Sequence, residues 1–238
     1  MTSFSTHSPA PRLGRMAGIG YLILIAAGIF AHFFVRSGLV VPADAAATAA
    51  NILAREQLFR LGLAGDLVML LCDVGLAVAF FVLFRQVNRD LALLAASLRL
   101  VHAAIYGANL FNLLLALQLL AGDASLAALP AAQLEALALL FVKGHDTGYL
   151  IGLVFFGVYC LILGRLVFRS GFMPRVLGVL LVVAGAGYLV DSFAQFLYTG
   201  YQGHAELFQM VVFLPAFIGE LAFALWLLIK NPHPPASQ

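Results

Sequence analysis

Charge is what this sequence has least of. Of 238 residues, 13 are Lys or Arg and 11 are Asp or Glu, while 63% are hydrophobic and the mean hydropathy is +1.02. Soluble domains carry about 25% charged residues, so this chain has too few to cover a water-facing surface. The net charge of +2 comes without a basic arm or an aromatic stacking platform, which gives no reason to invoke nucleic acid as a partner. Cysteine is scarce too. Cys72 and Cys160 both fall in apolar runs, where a thiol behaves as a small hydrophobe, and they form neither a disulfide framework nor a CxxC motif. HExxH, paired HxxxH, Cys clusters and phosphate-cradling Gly loops are all missing, so no cofactor is expected. Ser97 and Ser192 lie in no GxSxG turn, and no catalytic residue is assigned.

What is present is long apolar runs. Charge-poor segments extend over about 16–35, 61–84, 91–120, 147–166, 176–197 and 207–229, each long enough for a helix to cross about 30 Å of hydrocarbon. They show no period of two, which excludes barrel strands. The expected fold is all-α: a polytopic membrane protein with a bundle of six transmembrane helices. It makes a single domain over 16–230, flanked by mobile cytoplasmic tails at 1–15 and 231–238. The run after Arg15 is too long for a typical signal core, so it is expected to be the first span rather than a cleaved leader.

Lys and Arg orient the bundle. With the N-terminus inside, Arg12, Arg15, Arg85, Arg89, Arg165, Arg169, Arg175 and Lys230 face the cytoplasm, and Arg36, Arg55, Arg60 and Lys143 lie outside. Eight against four predicts both termini on the cytoplasmic side of a bacterial inner membrane. The two longer outer loops, 44–59 and 130–142, read as short interfacial helices, the second starting after Pro130 and stopping near Gly144. Two inner turns, VLFRQVNRDLALLA and LVFRSGFMPRVLGVL, resemble each other, although positive-inside selection alone would produce much of that likeness. Gly144, Gly148 and Gly152, and later Gly178, Gly185 and Gly187, predict close helix approach, and Pro215 predicts a kink before Glu220.

Ionisable groups inside hydrocarbon are costly, so their placement matters. At 100° per residue Asp66 and Asp73 lie about 20° apart on one helix face. Arg99, His102, Tyr106 and Asn109 share an arc of about 80° on the third span, and Tyr188, Asp191, Gln195 and Tyr198 do likewise on the fifth. Counting about 1.5 Å per residue from the span ends puts Asp73, Arg99 and Glu220 at a common depth of about 18–20 Å below the outer edge. Asp66, Tyr106, Asn109, Asp191 and Gln195 fall in a shallower layer, with His145 and Asp146 at its rim. The expectation is a polar funnel opening outward, with Asp66 on its wet wall and an ion cluster as its floor.

A packed salt bridge that only fixes helix register is the plainest reading of Arg99 with Asp73 or Glu220. Against it, four acids at depth (Asp66, Asp73, Asp191, Glu220) face one Arg and the titratable His102, so one of them must be protonated, hydrated or bound to a cation. A metal held by Asp66, His102, His145 and Asp191 is a weaker alternative, and His32 reads as a packed or interfacial histidine. Three functions are open: transport or binding of a small solute, proton or cation; an intramembrane enzyme acting on a lipid or hydrophobic substrate, with or without a metal; and an accessory or sensor subunit. The lipid bilayer is the one assured partner, and oligomeric state is not legible.

RMAGIGYLILIAAGIF, VPADAAATAANILA, the stretch LFRLGLAGDLVMLLCDVGLAVAFFVLFRQVNRDLALLAASLRLVHAA, YLIGLVFFGVYCLILGRLVFRSGFMPRVLGVLLVVAGAGYLVDSFAQF and LPAFIGELAFALW resemble the bacterial domain-of-unknown-function family numbered 4386. The resemblance spans roughly Arg12 to Lys230. It implies a multi-span inner-membrane protein with six helices, but no reaction and no residue role.

Overall fold

A computed structural model describes residues 12–122 and 128–232. The expected tails at 1–15 and 231–238 lie largely outside the described residues. Among them the regular structure is all helical, with no strand, and six helices are long and apolar enough to cross a membrane. The first span, Leu13–Leu39, consists of α1 (Leu13–Ile29), a π-helical segment (Phe30–Arg36) and one short turn, α2 (Ser37–Leu39). After α3 (Ala45–Ala54) come α4 (Glu56–Phe84), α5 (Arg89–Leu120), α6 (Ala131–Arg169), α7 (Arg175–Leu197) and α8 (Ala205–Lys230).

The boundaries follow local chemistry. Asp44 caps α3 by accepting from the Ala47 amide at 2.9 Å, and Asn88 caps α5 through the Leu91 amide at 2.9 Å. Gly122 and Gly171, at φ +76° and +73°, follow the ends of α5 and α6 in the left-handed region where a side chain would be strained. Asn231 ends α8 the same way, at φ 45°.

One expectation needs correction. Residues 131–142 are no separate interfacial helix. They are the first turns of the 39-residue α6, because their Ala, Leu, Gln and Glu are strong helix formers and Gly144 interrupts nothing. Pro215 lies inside α8, which continues through it.

The chain divides into two compact units, with boundaries inside α1, α4, α5 and α6. The first comprises the chain to Leu22, Cys72–Val101 and everything from Leu153 on; the second comprises Ile23–Leu71 and His102–Gly152. In the first unit α6 and α7 approach backbone to backbone. A Cβ on Gly164 would lie 2.6 Å from the Gly178 carbonyl oxygen, and one on Gly178 equally close to that of Gly164. In the second unit the glycines of α6 do something else. Gly144, Gly148 and Gly152 face the side chains of Asn112, Asn109 and His102 of α5, so they make room for polar groups rather than for a backbone. The core of this unit is built from Val35, Leu39, Ile52, Phe59, Leu113 and Val142.

Candidate functional site

In the first unit, polar chemistry gathers around Arg99 on α5, which is fully buried. Its Nη2 lies 2.6 Å from Asp73 Oδ1 on α4, and its Nη1 donates to the Tyr159 hydroxyl on α6 at 2.6 Å. Four rings surround the guanidinium, with centroids 4.8 Å (Tyr159), 5.2 Å (Tyr21), 5.5 Å (Phe156) and 5.8 Å (Phe80) away. Each desolvated cation–π contact is worth up to about 2 kcal/mol, so an aromatic wall substitutes for lost water around a charge that cannot be neutralised.

Tyr21 joins this pair to Glu220. Its ring lies against Arg99, and its hydroxyl donates to Glu220 Oε2 at 2.7 Å. Tyr188 of α7 donates to the other oxygen, Oε1. Glu220 is buried and makes no ion pair among the described residues. The three groups expected at one depth, Asp73, Arg99 and Glu220, therefore sit in one cluster: two paired directly, the third linked through a phenol.

Asp191 is a separate, half-buried carboxylate of the same unit. It accepts from Gln195 Nε2 at 2.8 Å and from the Tyr201 hydroxyl at 2.7 Å. Tyr201 belongs to the turn before α8; burial, with the hydrogen bond to Asp191 second, holds its phenol well above its ordinary range. Tyr198, on the expected polar stripe, is 47% exposed and packs beside His204.

The second unit has its own ion pair. Arg36 Nη1 donates to Asp66 Oδ2 at 2.6 Å and Nη2 to Oδ1 at 3.4 Å, while Tyr106 donates its hydroxyl to Oδ1 at 2.7 Å. Asp66 is fully buried, which overturns its assignment to the wall of a wet funnel. Beyond it, Asn109 Nδ2 donates to the His145 carbonyl at 2.7 Å and lies 3.1 Å from the ring Nδ1, and Asn112 donates to Asn109 Oδ1 at 2.8 Å. The His102 ring stacks parallel to Tyr106, with centroids 6.2 Å apart. His145, expected at a rim, is buried, while Asp146 is exposed.

The charge count changes as a result. Arg36 had counted as an outer-loop cation, but the π-helical segment carries it inward onto Asp66. π-turns are rare and disturb the 100° periodicity on which face assignments rest, so no repeat in the sequence would have revealed this. Tyr21 and Tyr159 were missed for another reason. A phenol in an apolar run reads as a hydrophobe, and its hydroxyl leaves no pattern. Of the four acids counted at depth, Glu220 and Asp191 are left without an ion pair among the described residues. No three of the described His, Cys, Asp or Glu residues form a group able to hold a metal, so the alternative built on Asp66, His102, His145 and Asp191 gains no support from their placement.

The chain is 31% identical over 167 residues, 70% of its own length and 82% of the relative's, to an uncharacterized protein of Archaeoglobus fulgidus. No solved structure matches it. The family model described as Domain of unknown function (DUF4386) matches residues 16–231, across all six membrane-length helices with their buried polar clusters, and the chain belongs to that family.

Proposed function

We propose that this multi-pass membrane protein binds and transports a proton or a small cation, with Glu220 as the exchanging acid. The observation that carries the reading is the environment of Glu220. It is a buried carboxyl on a membrane-length helix, hydrogen-bonded by two phenols from two other helices, beside an arginine already paired to Asp73. An acid in a dry site with no cation of its own becomes neutral by taking up a proton or another cation, and exchange between those states is the elementary step of coupled transport.

The neighbours suit that step. Tyr21 and Tyr188 stabilise the anionic form by donating to it, and when a proton arrives one phenol rotates to accept the new O–H. Cys160 and the Asp73–Arg99 pair complete the surroundings, and Arg99 balances Asp73, which leaves the exchange to Glu220. The distribution of Lys and Arg, eight against three with Arg36 set aside in its buried pair, supports placing both termini on the cytoplasmic side of the cytoplasmic membrane.

The test is flux. Purified protein in proteoliposomes loaded with a pH-sensitive dye is expected to dissipate an imposed proton or Na+ gradient faster than protein-free vesicles. Glu220→Gln is expected to lower that rate more than tenfold while the protein stays folded. Flux indistinguishable from empty vesicles, or a Glu220→Gln variant as active as the parent, would overturn the reading.

A further inference from the structure

The two inner turns take no part in the site described above, yet they hold the densest exposed charge in the first unit. Residues 85–90 and 165–175 contain five arginines, Arg85, Arg89, Arg165, Arg169 and Arg175, against one acid, Asp90, and all six are exposed. The turns are neighbours: Phe84 at the end of α4 stacks on Phe172 in the α6–α7 turn, with ring centroids 5.9 Å apart at 23°. The arginines do not neutralise one another through acids; among the described residues none of the five forms an ion pair. Arg175 instead lies over the ring of Phe168, 5.5 Å from its centroid, an apolar support that leaves the guanidinium edges open.

We propose that these paired turns form a docking surface for anionic phospholipid headgroups. They terminate four membrane-length helices, so they stand at the height where the hydrocarbon of the bilayer gives way to headgroups. Guanidinium forks match phosphate oxygens bidentately, and the exposed aromatic Phe168 beside Arg175 suits the glycerol and upper acyl region next to that phosphate. Arg165 and Arg169, four residues apart, project from one face of α6 and present two such forks together. Each basic residue near an anionic membrane surface strengthens attraction about fivefold.

The full chain in detergent would be titrated with phosphatidylglycerol or with phosphatidylcholine of the same acyl chains, reading the unfolding midpoint and, by native mass spectrometry, the number of retained lipids. Phosphatidylglycerol is expected to raise the midpoint and be retained, phosphatidylcholine to do neither, and the gain to fade in about 0.5 M salt. Arg165→Gln, Arg169→Gln and Arg175→Gln combined are expected to weaken phosphatidylglycerol about a hundredfold. Arg55→Gln, Arg60→Gln and Lys143→Gln combined, which remove the same charge from exposed cations of the second unit, are expected to leave it unchanged. If the first triple variant does not fold, Arg85→Gln with Arg89→Gln is read in the same way, with an expected loss of about twenty-fivefold. Equal response to the two lipids, equal loss in the two triple variants, or a midpoint gain reproduced by inorganic phosphate alone would overturn the proposal.

Discussion

Arg99 and Arg36 each hold a buried aspartate at 2.6 Å, yet they are stabilised by different means. Arg99 is enclosed by four aromatic rings as well as meeting Asp73 at 2.6 Å, so packing fixes the geometry. Arg36 sits at the end of a π-helical segment and grips Asp66 with two nitrogens, and a tyrosine and an asparagine–histidine network stand beside it. An aromatic cage tolerates little rearrangement. A hydrogen-bonded centre on irregular backbone has other partners to turn to when one is lost. The first centre therefore reads as the rigid frame for Glu220, and the second as the more adaptable of the two.

Removing the cation from each centre tests this contrast most strongly. Breaking a buried ion pair by deleting one partner costs about 3–5 kcal/mol. Arg99→Gln is expected at the upper end of that range, because it takes a fully buried cation away from Asp73 and also removes the guanidinium from its four rings. Adding Asp73→Asn should return most of the loss, read from unfolding midpoints in detergent. Arg36→Gln is expected near the lower end, since Asp66 keeps its Tyr106 hydrogen bond. Equal losses at both sites would remove the distinction between cage and network.

The glycines of α6 sharpen the same comparison at smaller cost. Overpacking a tight contact typically costs about 1–3 kcal/mol. Gly164→Ala sets a methyl against the Gly178 carbonyl in the first unit, where only a shift of α7 gives relief, and about 2–3 kcal/mol is expected. Gly148→Ala overlaps the Asn109 carboxamide in the second, which can swing aside at the expense of its bond to His145, and about 1–2 kcal/mol is expected. Thermal unfolding of the two variants checks the order, and the reverse order would show that the amide network is the stiffer.

Much of the frame was legible from hydropathy. Apolar length alone located six spans, because a helix in lipid must satisfy its own backbone and leaves a long uninterrupted signature. Placing Asp73, Arg99 and Glu220 at one level anticipated that the three meet in one cluster. Depth counting did not foresee the surroundings of Asp66, which depend on a cation delivered by a π-turn, and at the start of α6 helix propensity prevailed over the stop expected near Gly144. The tyrosine hydroxyls that serve Asp66, Asp191 and Glu220 were legible only in part, as stripe positions at Tyr106 and Tyr188. Tyr21 and Tyr201 lie off any stripe and meet their carboxylates through the tertiary fold.

The smallest expected change in stability is also the most informative about function. Glu220→Gln keeps the shape of the side chain; its carbonyl accepts from one of Tyr21 and Tyr188, and its amide donates to the other phenol oxygen. With no cation partner lost, the cost is expected to stay within about 1 kcal/mol, well below that of Arg99→Gln. A variant this stable that has nonetheless lost gradient dissipation separates the two duties within the first unit, leaving the fold to Asp73 and Arg99 and the exchange to Glu220. A loss of several kcal/mol would instead make Glu220 an anionic member of the packed cluster, and the comparison between the two centres would become one between two structural ion networks.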